Sequence, residues 1–194
     1  MGGSRMTEYY FDIETEDRDP AKNRVIAVAY QPIRSDRPGG DLGILKGWEL
    51  GEASLLKRVL KLGVFEAEPA RAFEFIPVGV NLAFDYNFLI TRMRKTGVRR
   101  WTLSQALEVF HSKPMKDMKT ALVMMNDGSF VGSGLDRFTR KKRSAGHVML
   151  RLWAERNYQG IEKYIRGEAA GFFEVYGQVT AILRDMGRRM RVKP

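Results

Sequence analysis

The order of hydrophobic periodicities predicts an α/β domain: a mixed central sheet, an antiparallel meander extended by parallel strands, flanked by helices. Three observations carry this. Strand-like segments fill the first quarter of the chain, an apolar run at 75–80 lies between helical segments, and 3.6-residue periodicity governs the C-terminal part. At 194 residues the chain suits one domain with a sizeable core, expected over residues 7–187. Residues 1–6, up to a second methionine at Met6, read as an added segment, and 188–194 as a basic tail.

The elements follow in order. Tyr9, Phe11 and Ile13 alternate with Tyr10, Asp12 and Glu14, the period of a strand, so Asp12 and Glu14 share one face. Val25–Tyr30 and Ile44–Leu50 read as the next two strands, separated by turns at Pro20 and at Pro38-Gly39-Gly40. Leu55, Leu56, Val59 and Leu60 repeat at helical spacing. Phe75–Val80 reads as a strand, although Pro77 and Gly79 weaken it. Asn81 is expected to cap a helix over Leu82–Lys95 that closes at Gly97. Trp101–Phe110 is ambiguous, and Ala121–Met125 fits a short strand or a helix start. Gly128–Gly134 is a loop, an amphipathic stretch ends at Trp153-Ala154, and one long helix is expected over Ile161–Met186.

Charge narrows the function classes. The 33 basic and 23 acidic side chains give a net +10, which favours a polyanionic partner, nucleic acid first. With no cysteine, disulfides, zinc-thiolate centres and cysteine nucleophiles are all excluded. No apolar run approaches the ~20 residues of a membrane span, and no secretory leader precedes the first strand, so a cytoplasmic setting without membrane contact is expected.

Three acidic features stand out. Asp12 and Glu14, aimed the same way from a strand, are poor neighbours without a cation; they suit a divalent metal, or a strand end facing water. Asp85 lies in the first turn of a helix fed by a strand, a position favourable to an anion and common at functional sites of open sheets. In the last helix Ile161, Ile165, Glu168, Phe172, Val175, Val179, Ile182 and Met186 form one stripe, so Glu168 replaces a core hydrophobe. Burying an unpaired charge costs several kcal/mol, which a metal or an arginine partner must offset. Tyr164 stands one turn before it, and Gly167 and Gly171 flank it as if to admit another element closely.

Phe11-Asp12-Ile13-Glu14-Thr15, Asn81-Leu82-Ala83-Phe84-Asp85 and Tyr164-Ile165-Arg166-Gly167-Glu168 resemble the three ordered exonuclease motifs of the DEDD superfamily, tyrosine subtype. The likeness is greatest to the proofreading domains of family B DNA polymerases and spans nearly the whole chain. One departure is Glu168, where the family pattern has Asp; the extra methylene displaces the carboxylate by about one C–C bond, ~1.5 Å. Neither His111 nor His147 is followed by an acid at the spacing of the histidine subtype.

The resemblance implies a ribonuclease H-like fold and a 3′→5′ exonuclease that releases nucleoside 5′-monophosphates from single-stranded DNA, RNA or both. No polymerase domain is expected in this chain. Asp12, Glu14, Asp85 and Glu168 would hold two Mg²⁺ or Mn²⁺ ions ~3.5–4 Å apart, with Tyr164 orienting the attacking water. Thr15, Asn81 and Phe84 would meet the strand, although the phase of Phe84 also suits the core and Asn81 also suits a cap. The basic run Arg137, Arg140, Lys141, Lys142 and Arg143, with the clusters at 92–95 and 99–101, fits a strand-tracking groove or a solvated face. The alternatives are a non-catalytic nucleic-acid-binding protein on the same fold and a structure-specific endonuclease. Oligomeric state, a homo-oligomer included, is not derivable from the sequence.

Overall fold

The structure, a computed structural model, describes residues 6–139 and 147–190. Strand β1 (Glu8–Thr15) pairs antiparallel with β2 (Val25–Arg34), which carries the two-residue β3 (Arg37–Pro38) at its outer end and β4 (Gly43–Lys46) along its inner half. Helices α1 (Gly47–Leu50) and α2 (Glu52–Lys61) lead to β5 (Ile76–Gly79), which returns parallel to β1. Helices α3 (Leu82–Lys95) and α4 (Leu103–Ser112) precede the two-residue β6 (Lys116–Asp117), parallel to β5. Helix α5 (Lys119–Met124), a 3₁₀ turn (Leu135–Arg137), α6 (His147–Ala154) and the 33-residue α7 (Tyr158–Met190) complete the chain. The sheet order β4-β2-β1-β5-β6, antiparallel on one side of β1 and parallel on the other, is the mixed α/β architecture expected from the sequence.

Alternation along β1 feeds two cores. Phe11 and Ile13 pack with α2 and α3 around Leu56, Tyr86 and Leu89, while Tyr10 packs on the other face against Ile165 and Phe172 of α7. Both faces of the sheet are therefore covered, and Asp12, which shares the face of Tyr10, does not project freely into water as a solvated strand end would.

Several elements differ from expectation for local reasons. The third strand ends at Lys46, where the chain turns into α1; Gly47 passes close to the Ile26 carbonyl, which a Cβ there would approach to 2.6 Å. Pro77 is tolerated in the middle of the sheet. The Ile76 amide donates to the Thr7 carbonyl just ahead of β1, so position 77 faces β6, whose pairing begins only at Val78. The ambiguous stretch becomes α4, started by a reciprocal capping box between Thr102 and Gln105. Ala121–Met125 falls largely in α5. On α7 the apolar stripe is buried from Ile161 through Val179, but Ile182 and Met186 are 50% and 48% exposed. The helix, about 50 Å long at 1.5 Å per residue, outruns the sheet, and all of residues 181–190 face solvent.

Candidate active site

The site grows from a mismatch in strand length. β1 pairs with β5 only over Glu8–Tyr10, and beyond that point its edge toward β5 has no strand partner. The Ile13 amide lies on that open edge, and the Asp85 carboxylate accepts it at 3.1 Å. An α3 carboxylate thus satisfies a sheet amide, as buried backbone requires, and arrives beside Asp12. The approach is possible because residue 79 is glycine: a Cβ there would lie 2.6 Å from the Phe11 carbonyl oxygen.

The acids act on one another electrostatically. Burial, with the neighbouring charge of Glu168, pushes Asp12 up to about 7, against hydrogen bonds from the Tyr10 hydroxyl (3.3 Å) and the Ile13 backbone. Asp85 is pushed well above the usual carboxylate range, first by burial and then by Asp12; the Ile13 amide opposes this, and Asp117 adds to it. The Tyr10 phenol is raised by burial and by Asp12, Glu14 and Glu168. Residues from three distant segments, 12–14, 85 and 168, therefore act on one another within a low-dielectric neighbourhood.

Glu14, Thr15, Phe84 and Tyr164 line one open cleft of about 610 Å³, walled on another side by Met149 and Leu150 of α6. The Trp153 indole donates to Glu16 at 3.3 Å, and Glu16 is also held by Arg24, which ties α6 to the end of β1. Phe84 divides its surface. Its ring lies 5.7 Å from Phe88 and packs on the core, yet it is half-buried and faces the cleft.

Other expected residues stand differently. Asn81 occupies the position before α3, but its side chain makes no capping bond; its backbone is left-handed (φ 65) and its amide donates to Asp117 at 2.8 Å. Arg92 is no strand-tracking cation: it is buried and paired with Glu52 at 2.7 Å. Arg99 stacks over Trp101, and with Arg100 they line a cleft separate from the acids. Arg137 is exposed on the 3₁₀ turn. Arg140, Lys141, Lys142, Arg143 and the His147 side chain lie outside the described residues, as do residues 1–5 and 191–194. Gly171 does admit a neighbour, with its Cβ position 3.2 Å from Thr139.

Tyr10, Arg18 and Asp117 join the site without belonging to any of the three motifs. Tyr10 was visible as the same-face neighbour of Asp12, and Arg18, at the mouth of the cleft, follows the acidic strand closely. Asp117 carries no local signal.

Hard oxygen donors crowded at a raised pKa suit Mg²⁺ or Mn²⁺, which would relieve the repulsion between Asp12, Asp85 and Glu168. Among the described residues no three acidic or histidine side chains are drawn together tightly enough to enclose an ion as they stand. The fit is one of donor chemistry and charge. Among the described residues, no helix is long and apolar enough to cross a membrane.

A comparison with family models finds no match, and one with curated proteins finds none. Among solved structures the chain is similar to exonuclease I in its apo form, at 15% identity and a TM-score of 0.46 over 69% of this chain and 36% of that one. It is also similar to a metal-free form of an E. coli exonuclease I complex with single-stranded DNA, at 16% identity and a TM-score of 0.41 over 62% of this chain and 30% of the other. A third likeness is to exonuclease I in complex with the inhibitor BCBP, at 15% identity and a TM-score of 0.45, covering 84% and 44%. The chain thus spans less than half the length of each of these structures.

Proposed function

We propose that this chain is a metal-dependent 3′→5′ exonuclease acting on single-stranded DNA, RNA or both. The observation that carries the reading is the meeting of Asp85 with the open edge of β1, where Glu168 bears on Asp12 and Asp12 in turn on Asp85. A positively charged protein that concentrates carboxylates at one sheet end is suited to a polyanionic substrate brought against hard cations.

Asp12, Glu14, Asp85 and Glu168 are the residues to hold Mg²⁺ or Mn²⁺. When bound, the ions supply Lewis-acid stabilisation of the phosphodiester and activation of water. The remaining work falls to the chain. Tyr164, on the cleft wall with Glu14, offers a hydroxyl to orient the attacking water. Phe84 offers a ring face to the terminal base, with Thr15 beside it and Arg18 at the mouth for a phosphate. Asn81 and the basic run from Arg137 onward are the further strand contacts. The 3′→5′ direction rests on the motif resemblance.

The test is a time course on end-labelled single-stranded DNA and RNA with Mg²⁺, Mn²⁺ or chelator, with a circular single strand in parallel. A ladder shortening from the 3′ end, abolished by chelator and by Asp12→Ala, supports the proposal. Binding without cleavage in either metal indicates a non-catalytic nucleic-acid-binding protein, and cleavage of the circle indicates an endonuclease.

A further inference from the structure

Asp117 ends the two-residue β6 opposite Gly79, where β5 gives way to α3. One carboxylate oxygen, Oδ1, accepts two backbone amides at 2.8 Å, from Lys119 in its own turn and from Asn81. Asn81 is left-handed (φ 65, ψ 43), a conformation asparagine tolerates better than most non-glycine residues, and the Asp117 carboxylate holds its amide there. Asn81 sets the direction in which α3 leaves the sheet. Four residues later Asp85 reaches the Ile13 amide.

The charge of Asp117 works against Asp85, since the two anions repel. A carboxylate that opposes its neighbour electrostatically while holding two amides has its value in the placement of its oxygen. We propose that Asp117 is a positioning residue for the acidic centre. Acting through Asn81, it fixes where α3 begins and so where the Asp85 carboxylate meets β1. The kinetic consequence rests on the exonuclease reading; the structural one does not.

Substitution separates oxygen placement from charge. Asp117→Asn keeps an acceptor oxygen in place without the charge, whereas Asp117→Glu keeps the charge and moves the oxygen by about one C–C bond, ~1.5 Å. Asp117→Ala removes both. Amide hydrogen exchange on the full chain in chelator reads the Ile13 and Asn81 amides directly. Loss of a bond worth ~1 kcal/mol is about a fivefold change in protection, so Ile13 should exchange about fivefold faster in the Glu and Ala variants and as wild type in Asn. In the strand-cleavage assay Glu and Ala should lower kcat by roughly ten- to a hundredfold with KM for the strand little changed, and Asn should restore it.

The proposal is overturned if Ile13 keeps its protection in Asp117→Glu and Asp117→Ala while Asn81 alone loses it, because Asp117 would then be only a local cap. It is also overturned if Asn is as damaging as Ala, because charge would then be the operative property. Should Asp117→Ala fail to fold, the comparison of Asn with Glu decides alone. A wild-type chain that does not cleave defeats the exonuclease reading and leaves the exchange result standing on its own.

Discussion

Asp12→Asn should stabilise the metal-free protein near neutral pH, an unusual outcome for a substitution at a candidate catalytic residue. In the folded chain Asp12 is pushed from 3.8 to about 7 by burial and by Glu168. A carboxyl whose folded pKa exceeds its unfolded value binds more protons in the native state between those limits, so its contribution to stability falls as pH rises from about 4 to about 7. At 1.36 kcal/mol per pKa unit, ionisation costs the fold about 4 kcal/mol above pH 7. Asparagine removes the charge and keeps an oxygen to accept from Tyr10. At roughly 2–4 °C per kcal/mol for a chain of this size, Asp12→Asn should melt about 10 °C higher than wild type at pH 8 in chelator. The gain should vanish below about pH 4, where both states of the wild type are protonated. Mg²⁺ or Mn²⁺ at millimolar concentration should raise the wild-type Tm and leave the variant nearly unmoved. The measurement is a pair of thermal melts across pH 3–8, with and without metal. Equal or lower stability of Asp12→Asn at pH 8 in chelator would refute the reasoning, because the carboxylates would then not be a site of unrelieved charge.

Glu52→Ala strands the buried guanidinium of Arg92, which Glu52 holds through two bonds at 2.7 and 2.8 Å; by thermal or urea melting the loss should be ~3–5 kcal/mol. If Glu168 is a ligand, Glu168→Ala should impair turnover far more than Glu168→Asp, whereas a structural ion-pair partner would show chiefly as a lower Tm for Ala. Lys113, buried and donating to the Gly63 and Ala72 carbonyls, has its ammonium pushed down to about 8, so the folded state sheds its proton first. Stability should therefore rise between about pH 8 and 10.5, and Lys113→Met should flatten that limb in urea melts. Tyr10→Phe removes the hydroxyl that favours ionised Asp12 and keeps the ring against Phe172, so the acid limb of the cleavage pH profile should move upward.

The legible parts of this protein are those written in local periodicity. β1 declared its two faces, Leu82–Lys95 emerged with the expected bounds, and Glu168 was visible as an acid among Ile165, Phe172 and Val175. Two-residue strands have no periodicity to read, so β3 and β6 were invisible, and Asp117 with them. Asn81 stands where a side-chain cap would, but its side chain makes no capping bond; the residue that matters at this junction is Asp117, on a neighbouring strand, which accepts the Asn81 amide. Arg92 looked like part of a basic cluster, although its partner Glu52 sits 40 positions away. The end of the α7 stripe misled for the opposite reason: the pattern continues through Met186, but no described element covers it.

As a metal-dependent nuclease the chain needs Asp12, Asp85 and Glu168 to serve together as ligands of hard divalent ions. Anomalous diffraction from crystals grown in millimolar Mn²⁺ tests this most directly. Manganese should appear bonded to oxygens of Asp12, Asp85 and Glu168 at the end of β1. A map with those three side chains well ordered and no manganese bridging any two of them would contradict it.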